Sequence, residues 1–124
     1  MAKILLAEDD LFLRDIYTEV LSNEEFEVTV AIDGEEALKY LLQGNWDIVL
    51  LDVVMPKMTG IQVLEHVKSQ AKQNQVYAKH IVFMTNTDEL KDAEGVKDMT
   101  DGYILKSSFT PDQLLERINQ YLKS

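Results

Sequence analysis

Residues with chemical potential sit directly behind short apolar runs. Glu8, Asp9 and Asp10 follow Ile4 to Ala7, and Asp52 follows Ile48 to Leu51. Thr85, Asn86 and Thr87 follow Ile81 to Met84, and Lys106, Ser107 and Ser108 follow Tyr103 to Leu105. If these runs are neighbouring strands, several carboxylates meet at one edge. Like charges held that close raise one another's pKa or require a cation. Hard oxygen ligands of this kind suit Mg²⁺, which is small, octahedral and keeps several waters. A lysine and a hydroxyl on the far side can hold the oxygens of an anion. Carboxylates, Mg²⁺, hydroxyl and lysine together describe phosphoryl transfer, with Asp52 a possible nucleophile that forms an acyl phosphate.

Taken singly, each residue has a plainer reading. An aspartate behind a strand is most often a turn or helix-cap residue, and Asp10 could do no more than cap the first helix. A threonine there is usually a turn former, and a lysine a solvated charge. The opposite ends of the strands, at Lys3, Glu27, Asp47, His80 and Gly102, are polar too, so polarity alone decides nothing. The coincidence of four polar positions at matching strand ends favours chemistry.

The elements that must position them alternate. The apolar runs above, with Val28 to Ala31, read as five strands. Between them apolar residues recur at helical spacing: Leu13, Ile16, Val20 and Leu21; Ala37, Leu38, Leu41 and Leu42; Val63, Leu64 and Val67; Leu114, Leu115, Ile118 and Leu122. A fourth helix, around Leu90 to Val96, is weak and polar. Thr59 with Gln62 and Thr110 with Gln113 have capping-box spacing, Pro111 suits a first helical position, and Asp33 can cap the second helix with Glu36 three residues on. Ser69 to Lys79 is polar and reads as a long loop or frayed helix end. Strict alternation with near-continuous apolar strands predicts a parallel sheet covered by helices on both faces. Ligands of such sheets bind at the C-terminal strand ends.

Composition narrows the classes. A length of 124 residues suits one domain, and 46% apolar content suits a globular one. No apolar run approaches the roughly 18–20 residues a membrane span needs, and no cleavable leader is visible, so a soluble, unexported protein is expected. The absence of cysteine excludes disulfides and thiolate metal sites and fits a reducing cytoplasm. A formal charge of −10 disfavours direct contact with a phosphate backbone.

On the stretches "KILLAEDDLFLR", "DIVLLDVVMPKMTG", "IVFMTNT" and "DGYILKSSFTPDQL", the chain resembles the receiver domain of two-component response regulators over nearly its full length, residues 1–124. The resemblance implies an α/β, doubly wound, five-stranded parallel sheet of (βα)5 flavodoxin-like type, strand order 2-1-3-4-5. It implies Asp52 as phospho-acceptor. Mg²⁺ would be held by Asp9 directly, by Glu8 mainly through water, by Asp52 and by the backbone carbonyl of Val54. Lys106 would contact a phosphoryl oxygen, and Thr85 would move toward the phosphoryl group. Tyr103 would turn inward on activation, though an aromatic in a strand also has an ordinary packing role. The implied partners are a sensor histidine kinase or histidine phosphotransfer protein as donor, and a downstream protein at a face formed by the fourth helix, fifth strand and fifth helix, roughly Asp88 to Leu122. No nucleic acid or membrane is expected to bind directly. The domain would assist its own phosphorylation and dephosphorylation without turning over a separate substrate. A stand-alone receiver acting through protein contacts is the expected form, and a receiver excised from a longer regulator is the alternative.

Departures from the family pattern matter. The family usually has Lys-Pro after the fifth strand, with a cis peptide; here it is Lys106-Ser107. Cis before a non-proline costs about 2.5–4 kcal/mol, yet Lys106 must point into the site, so a cis bond is expected. Asn86 replaces a residue often small, and apolar Val54 is expected to slow hydrolysis, with Thr87 on the other flank. Trp46 should lie at the far end of the third strand, about 20 Å from Asp52. Met55, Met58, His66 and His80 are expected to pack or to face solvent without chemical use. Among rivals, an aspartyl phosphohydrolase of the haloacid dehalogenase type would want an acid where Val54 stands. A flavodoxin-like cofactor binder would want a phosphate loop where Glu8-Asp9-Asp10 would repel it. A pseudo-receiver, folded but never phosphorylated, is the alternative that the Ser107 departure keeps alive.

Overall fold

The computed structural model describes residues 1–22, 25–70, 75–86 and 89–123. Strands β1 (Ala2–Ala7), β2 (Phe26–Ala31), β3 (Trp46–Asp52), β4 (Ala78–Thr85) and β5 (Gly102–Leu105) form one parallel sheet in the order β2-β1-β3-β4-β5. Helices α1 (Leu11–Ser22), α2 (Gly34–Gln43), α3 (Gly60–Gln70) and α4 (Pro111–Leu122) connect and cover it. This is the flavodoxin-like arrangement expected.

Period-two alternation explains why both faces are dry. Leu5, Ala7, Val49, Leu51, Ile81 and Phe83 face one side and pack with Ala37 and Leu41 of α2 and Val63, Leu64 and Val67 of α3. Their alternates Ile4, Leu6, Ile48, Leu50, Val82, Met84 and Ile104 pack with Tyr17 and Leu21 of α1 and Leu114 and Ile118 of α4. Met55 is buried in the first core and Met58 packs against it, as expected.

The caps read from spacing are present. Thr59 and Gln62 exchange reciprocal bonds of 3.1 and 3.0 Å, and Thr110 and Gln113 do the same at 3.2 and 2.9 Å, with Pro111 opening α4. The Asp33 carboxylate accepts from the Glu36 amide at 2.9 Å while Glu36 reaches back to the Ile32 amide at 3.1 Å. Asp10 accepts from the Leu13 amide at 3.0 Å and caps α1.

Two expectations shift. The strands begin earlier than their apolar runs, because backbone pairing at the entry edge tolerates polar side chains such as Glu27 and Lys79. The fourth helix is a six-residue 3₁₀ segment, Glu94–Met99, in which Val96 alone is buried and Met99 packs part-buried against the first core; with Gly95 in it and these two anchors only, it lacks the apolar stripe that sustains an α-helix. Of the polar stretch Ser69 to Lys79, Ser69 and Gln70 end α3, Ala78 and Lys79 begin β4, and residues 71–74 lie outside the described residues.

Candidate phospho-acceptor and metal site

Strand register brings the candidate residues together. Ala7 pairs with Leu51, Asp52 with Met84 and Thr85 with Leu105. Glu8, Asp52, Thr85 and Lys106 therefore emerge at one edge, at the crevice where connections leave β1 and β3 toward opposite sides. They adjoin an open cleft of about 430 Å³ lined by Asp9, Asp10, Leu13, Asp52, Val54, Asn86, Glu89, Lys106 and Ser107. That is ample for a phosphoryl group and its hydration.

Asp52 is held from several directions. It is 1% exposed at the end of a strand buried along its length. The Val54 amide donates to its Oδ1 at 3.2 Å and the Lys106 Nζ to its Oδ2 at 2.8 Å. Behind it the Gly60 amide donates to the Val53 carbonyl at 2.8 Å, so α3 starts directly under Asp52. A Cβ on Gly60 would collide with the Asp52 carbonyl oxygen, which explains the glycine that ends the "DVVMPKMTG" motif.

Lys106 also lies 2.9 Å from Glu8 Oε1 and donates to Glu8 Oε2 at 3.2 Å. Glu8 is fully buried; its Oε2 accepts from the Asp10 amide at 3.2 Å, whereas its Oε1 has no hydrogen-bond partner despite the nearby ammonium. Asp9 is exposed at the cleft. Carboxylate oxygens of Glu8, Asp9 and Asp52 lie within 4.8 Å of one another. Burial, ahead of the Glu8 contact, pushes the Asp52 carboxyl up to about 8 even with Lys106 beside it. Burial pulls the Lys106 ammonium down, but its bonds to Asp52 and Glu8 outweigh that and raise it. The Tyr17 hydroxyl is raised too, by burial and then by Glu8. Three carboxyl groups share one lysine, and a hard divalent cation fits them: an oxygen-only donor set, a buried Glu8 oxygen that faces the Lys106 ammonium without a hydrogen bond, and open solvent access for retained waters.

Lys106 reaches the site without the expected cis bond. Peptide bonds among the described residues are all trans, Lys106–Ser107 included. A short 3₁₀ turn, Lys106–Ser108, takes the place of the lysine-proline corner, and the long side chain spans the difference. Thr85 is fully buried, and its hydroxyl faces Asn86 O at 2.6 Å and Glu89 Oε2 at 2.9 Å. Tyr103 is 53% exposed and points outward, so it is not a core aromatic here. Thr87 and Asp88 lie outside the described residues. Trp46 opens β3 and is buried at the strand's far end, as placed by its spacing. His66 is exposed; His80 lies 3.5 Å from Asp101 and against the Tyr121 ring, remote from the cleft.

Sequence reasoning missed Glu89. Its signal was available, an acidic residue four positions past Thr85, but nothing in spacing alone distinguishes it from a solvated loop charge.

With this geometry in place, the comparisons with known proteins are unambiguous. The response regulator receiver domain profile matches residues 4–119, and the chain belongs to that family. The transcriptional regulatory protein CpxR of Escherichia coli strain K12 is 39% identical over 123 residues, covering 99% of this chain and 50% of CpxR. DltR of Streptococcus agalactiae, also a transcriptional regulatory protein, is 32% identical over 94% of this chain and 50% of its own. The chain thus spans about half the length of the curated relatives it matches. Among solved structures, Thermotoga maritima TrrA in complex with Mg²⁺-BeF superposes with a TM-score of 0.77 at 31% identity, over 98% of this chain and 99% of that one. Vibrio cholerae CheY4 gives 0.80 at 30%, over 98% of each.

Proposed function

We propose that this receiver domain accepts a phosphoryl group from a phosphohistidine donor onto Asp52 in an Mg²⁺-dependent reaction. The observation that carries the reading is the buried Asp52 carboxylate, 2.8 Å from Lys106 and grouped with the Glu8 and Asp9 carboxylates at adjoining strand ends. TrrA, similar over nearly its whole length, is complexed with Mg²⁺-BeF, which supports the same use of this cleft.

In this reading Asp9, Asp52 and the Val54 carbonyl would hold Mg²⁺, and Glu8 would act mainly through water. The ion, when bound, neutralises charge on the transferring phosphoryl oxygens. A carboxylate oxygen of Asp52 attacks phosphorus; the P–N bond breaks and its electron pair leaves with the donor imidazole. Lys106 exchanges its bond to Asp52 for one to a phosphoryl oxygen. The strand end keeps Asp52 in line, which is most of what phosphoryl transfer asks of a protein. Deprotonation of Asp52 must precede attack, and the same cation that screens its neighbours favours the charged form. The domain assists its own phosphorylation and dephosphorylation and turns over no separate substrate.

The donor is a sensor histidine kinase or a phosphotransfer protein. Leu11, Phe12 and Val54 are 61%, 73% and 56% exposed, an apolar rim that a docked donor would cover. The output face comprises the 3₁₀ segment Glu94–Met99, β5 and α4, and outward Tyr103 belongs to the unphosphorylated state. Phosphorylation draws Thr85 inward and gives Tyr103 room to follow, a two-state switch biased by local charge. The domain contacts protein, not nucleic acid or membrane, and works in the cytoplasm; no helix of the described residues is long and apolar enough to cross a membrane. The pseudo-receiver reading rested on Ser107, and a Lys106 that reaches Asp52 weakens it.

Addition of Mg²⁺ with beryllofluoride tests the reading. Amide resonances around Asp52, Thr85 and Lys106, and the ring signals of Tyr103, are expected to shift together. A spectrum unchanged by both ions would favour the pseudo-receiver.

A further inference from the structure

The Thr85 hydroxyl is already committed. It carries one hydrogen and faces two acceptors, Asn86 O at 2.6 Å and Glu89 Oε2 at 2.9 Å. The same Glu89 oxygen accepts from the Asn86 amide at 2.8 Å, and the Glu89 amide lies 3.4 Å from Asn86 O. One carboxylate thus ties the end of β4 to the loop that follows it. Glu89 also lines the acceptor cleft together with Asp9, Asp52 and Lys106. Among the described residues no lysine, arginine or histidine lies within ion-pair distance of it. It is a carboxylate without an ion-pair partner among the described residues, lining the same cleft as Asp52.

We propose that Glu89 is a positioning residue, a latch that holds the Thr85 hydroxyl and the Asn86 amide in the unphosphorylated arrangement and is released by charge repulsion when Asp52 is phosphorylated. This rests on the proposed function above and adds a part of the chain to it. A phosphoryl group brings about −1.5 to −2 charge where a carboxylate had −1. Both groups then line one cleft, and of the two Asp52 is fixed at a strand end whereas Glu89 lies outside the regular elements. Its departure removes one of the two acceptors that face the hydroxyl the phosphoryl oxygen needs, leaving Asn86 O, and unties the Asn86 amide from the segment leading to Glu94–Met99. The latch opposes activation in the resting protein, and its strength sets how readily the domain switches.

Beryllofluoride affinity in the presence of Mg²⁺ measures this. Glu89→Ala is expected to bind on the order of tenfold more tightly than wild type, the scale of one hydrogen bond to a charged group. Glu89→Gln keeps an acceptor without the charge and is expected to fall between them. Most of the gain should vanish when Glu89→Ala is made in a Thr85→Ala background, because the latch then has nothing to hold. In the free protein, without either ion, the Asn86 amide resonance should move in Glu89→Ala and much less in Glu89→Gln. Unchanged affinity in Glu89→Ala, or an equal gain with and without Thr85, would overturn the latch while leaving the acceptor site standing. Failure of the wild type itself to bind would overturn the proposed function and the latch with it.

Discussion

At the scale of single residues, the site is defined by charge that the fold does not balance. Burial, ahead of the Glu8 contact, pushes the Asp52 carboxyl from its ordinary value of 3.8 up to about 8. Between those values the unfolded chain has lost the proton and the folded chain keeps it. Stability contributed by this residue is therefore lost as pH rises through that window. Asp52→Asn should stabilise the chelator-treated protein by about 1–2 kcal/mol near pH 8, as buried charges cost when poorly paired, and by much less near pH 4. Thermal unfolding at the two pH values checks this; an equal effect at both would argue against a raised Asp52. Val54 bears on lifetime. Its apolar side chain is exposed at the cleft, where the proposed function would have the attacking water approach. Val54→Asn is expected to shorten the phosphoryl lifetime several-fold, followed by loss of the adduct mass over time; a longer lifetime would contradict that role.

At the scale of elements, the acceptor depends on how tightly α3 starts beneath it. Gly60 lets the helix approach the Asp52 carbonyl, and no side chain fits there. Gly60→Ala is expected to cost about 1–3 kcal/mol as an overpacked contact and to weaken Mg²⁺ binding by displacing Asp52; calorimetry and a metal titration read the two separately. Strands and the helix caps at Asp10, Asp33, Thr59 and Thr110 were legible because each has a short-range cause: alternation, or a hydroxyl or carboxylate three residues before an amide. The 3₁₀ segment was not. Leu90 to Val96 carries apolar residues at loose spacing, and packing of Val96, with Leu90, Ala93 and Met99 at its side, against the first core decides its form. The Lys106–Ser107 bond was read the wrong way for a related reason. The sequence showed that lysine must enter the site but not that a trans 3₁₀ turn lets it do so.

At the scale of the whole molecule, one sheet carries chemistry at one end and packing at the other. Trp46, whose Nε1 donates to the Tyr40 carbonyl at 2.8 Å, lies about 20 Å along β3 from Asp52. Its fluorescence should barely respond to Mg²⁺; a large quench would mean that metal binding reorganises the sheet. Asp52, Glu8, Asp9, Thr85 and Lys106 were legible as a set because parallel topology forces strand ends together, whatever the loops do. Glu89 was not, because its contact with Thr85 depends on a loop path that no pattern encodes.

The most direct measurement is intact mass after incubation with acetyl phosphate and Mg²⁺, beside Asp52→Ala and a chelator control. A single phosphoryl adduct on the wild type, absent from both controls, is the predicted result. No adduct on the wild type, or one that survives Asp52→Ala, would contradict Asp52 as the acceptor.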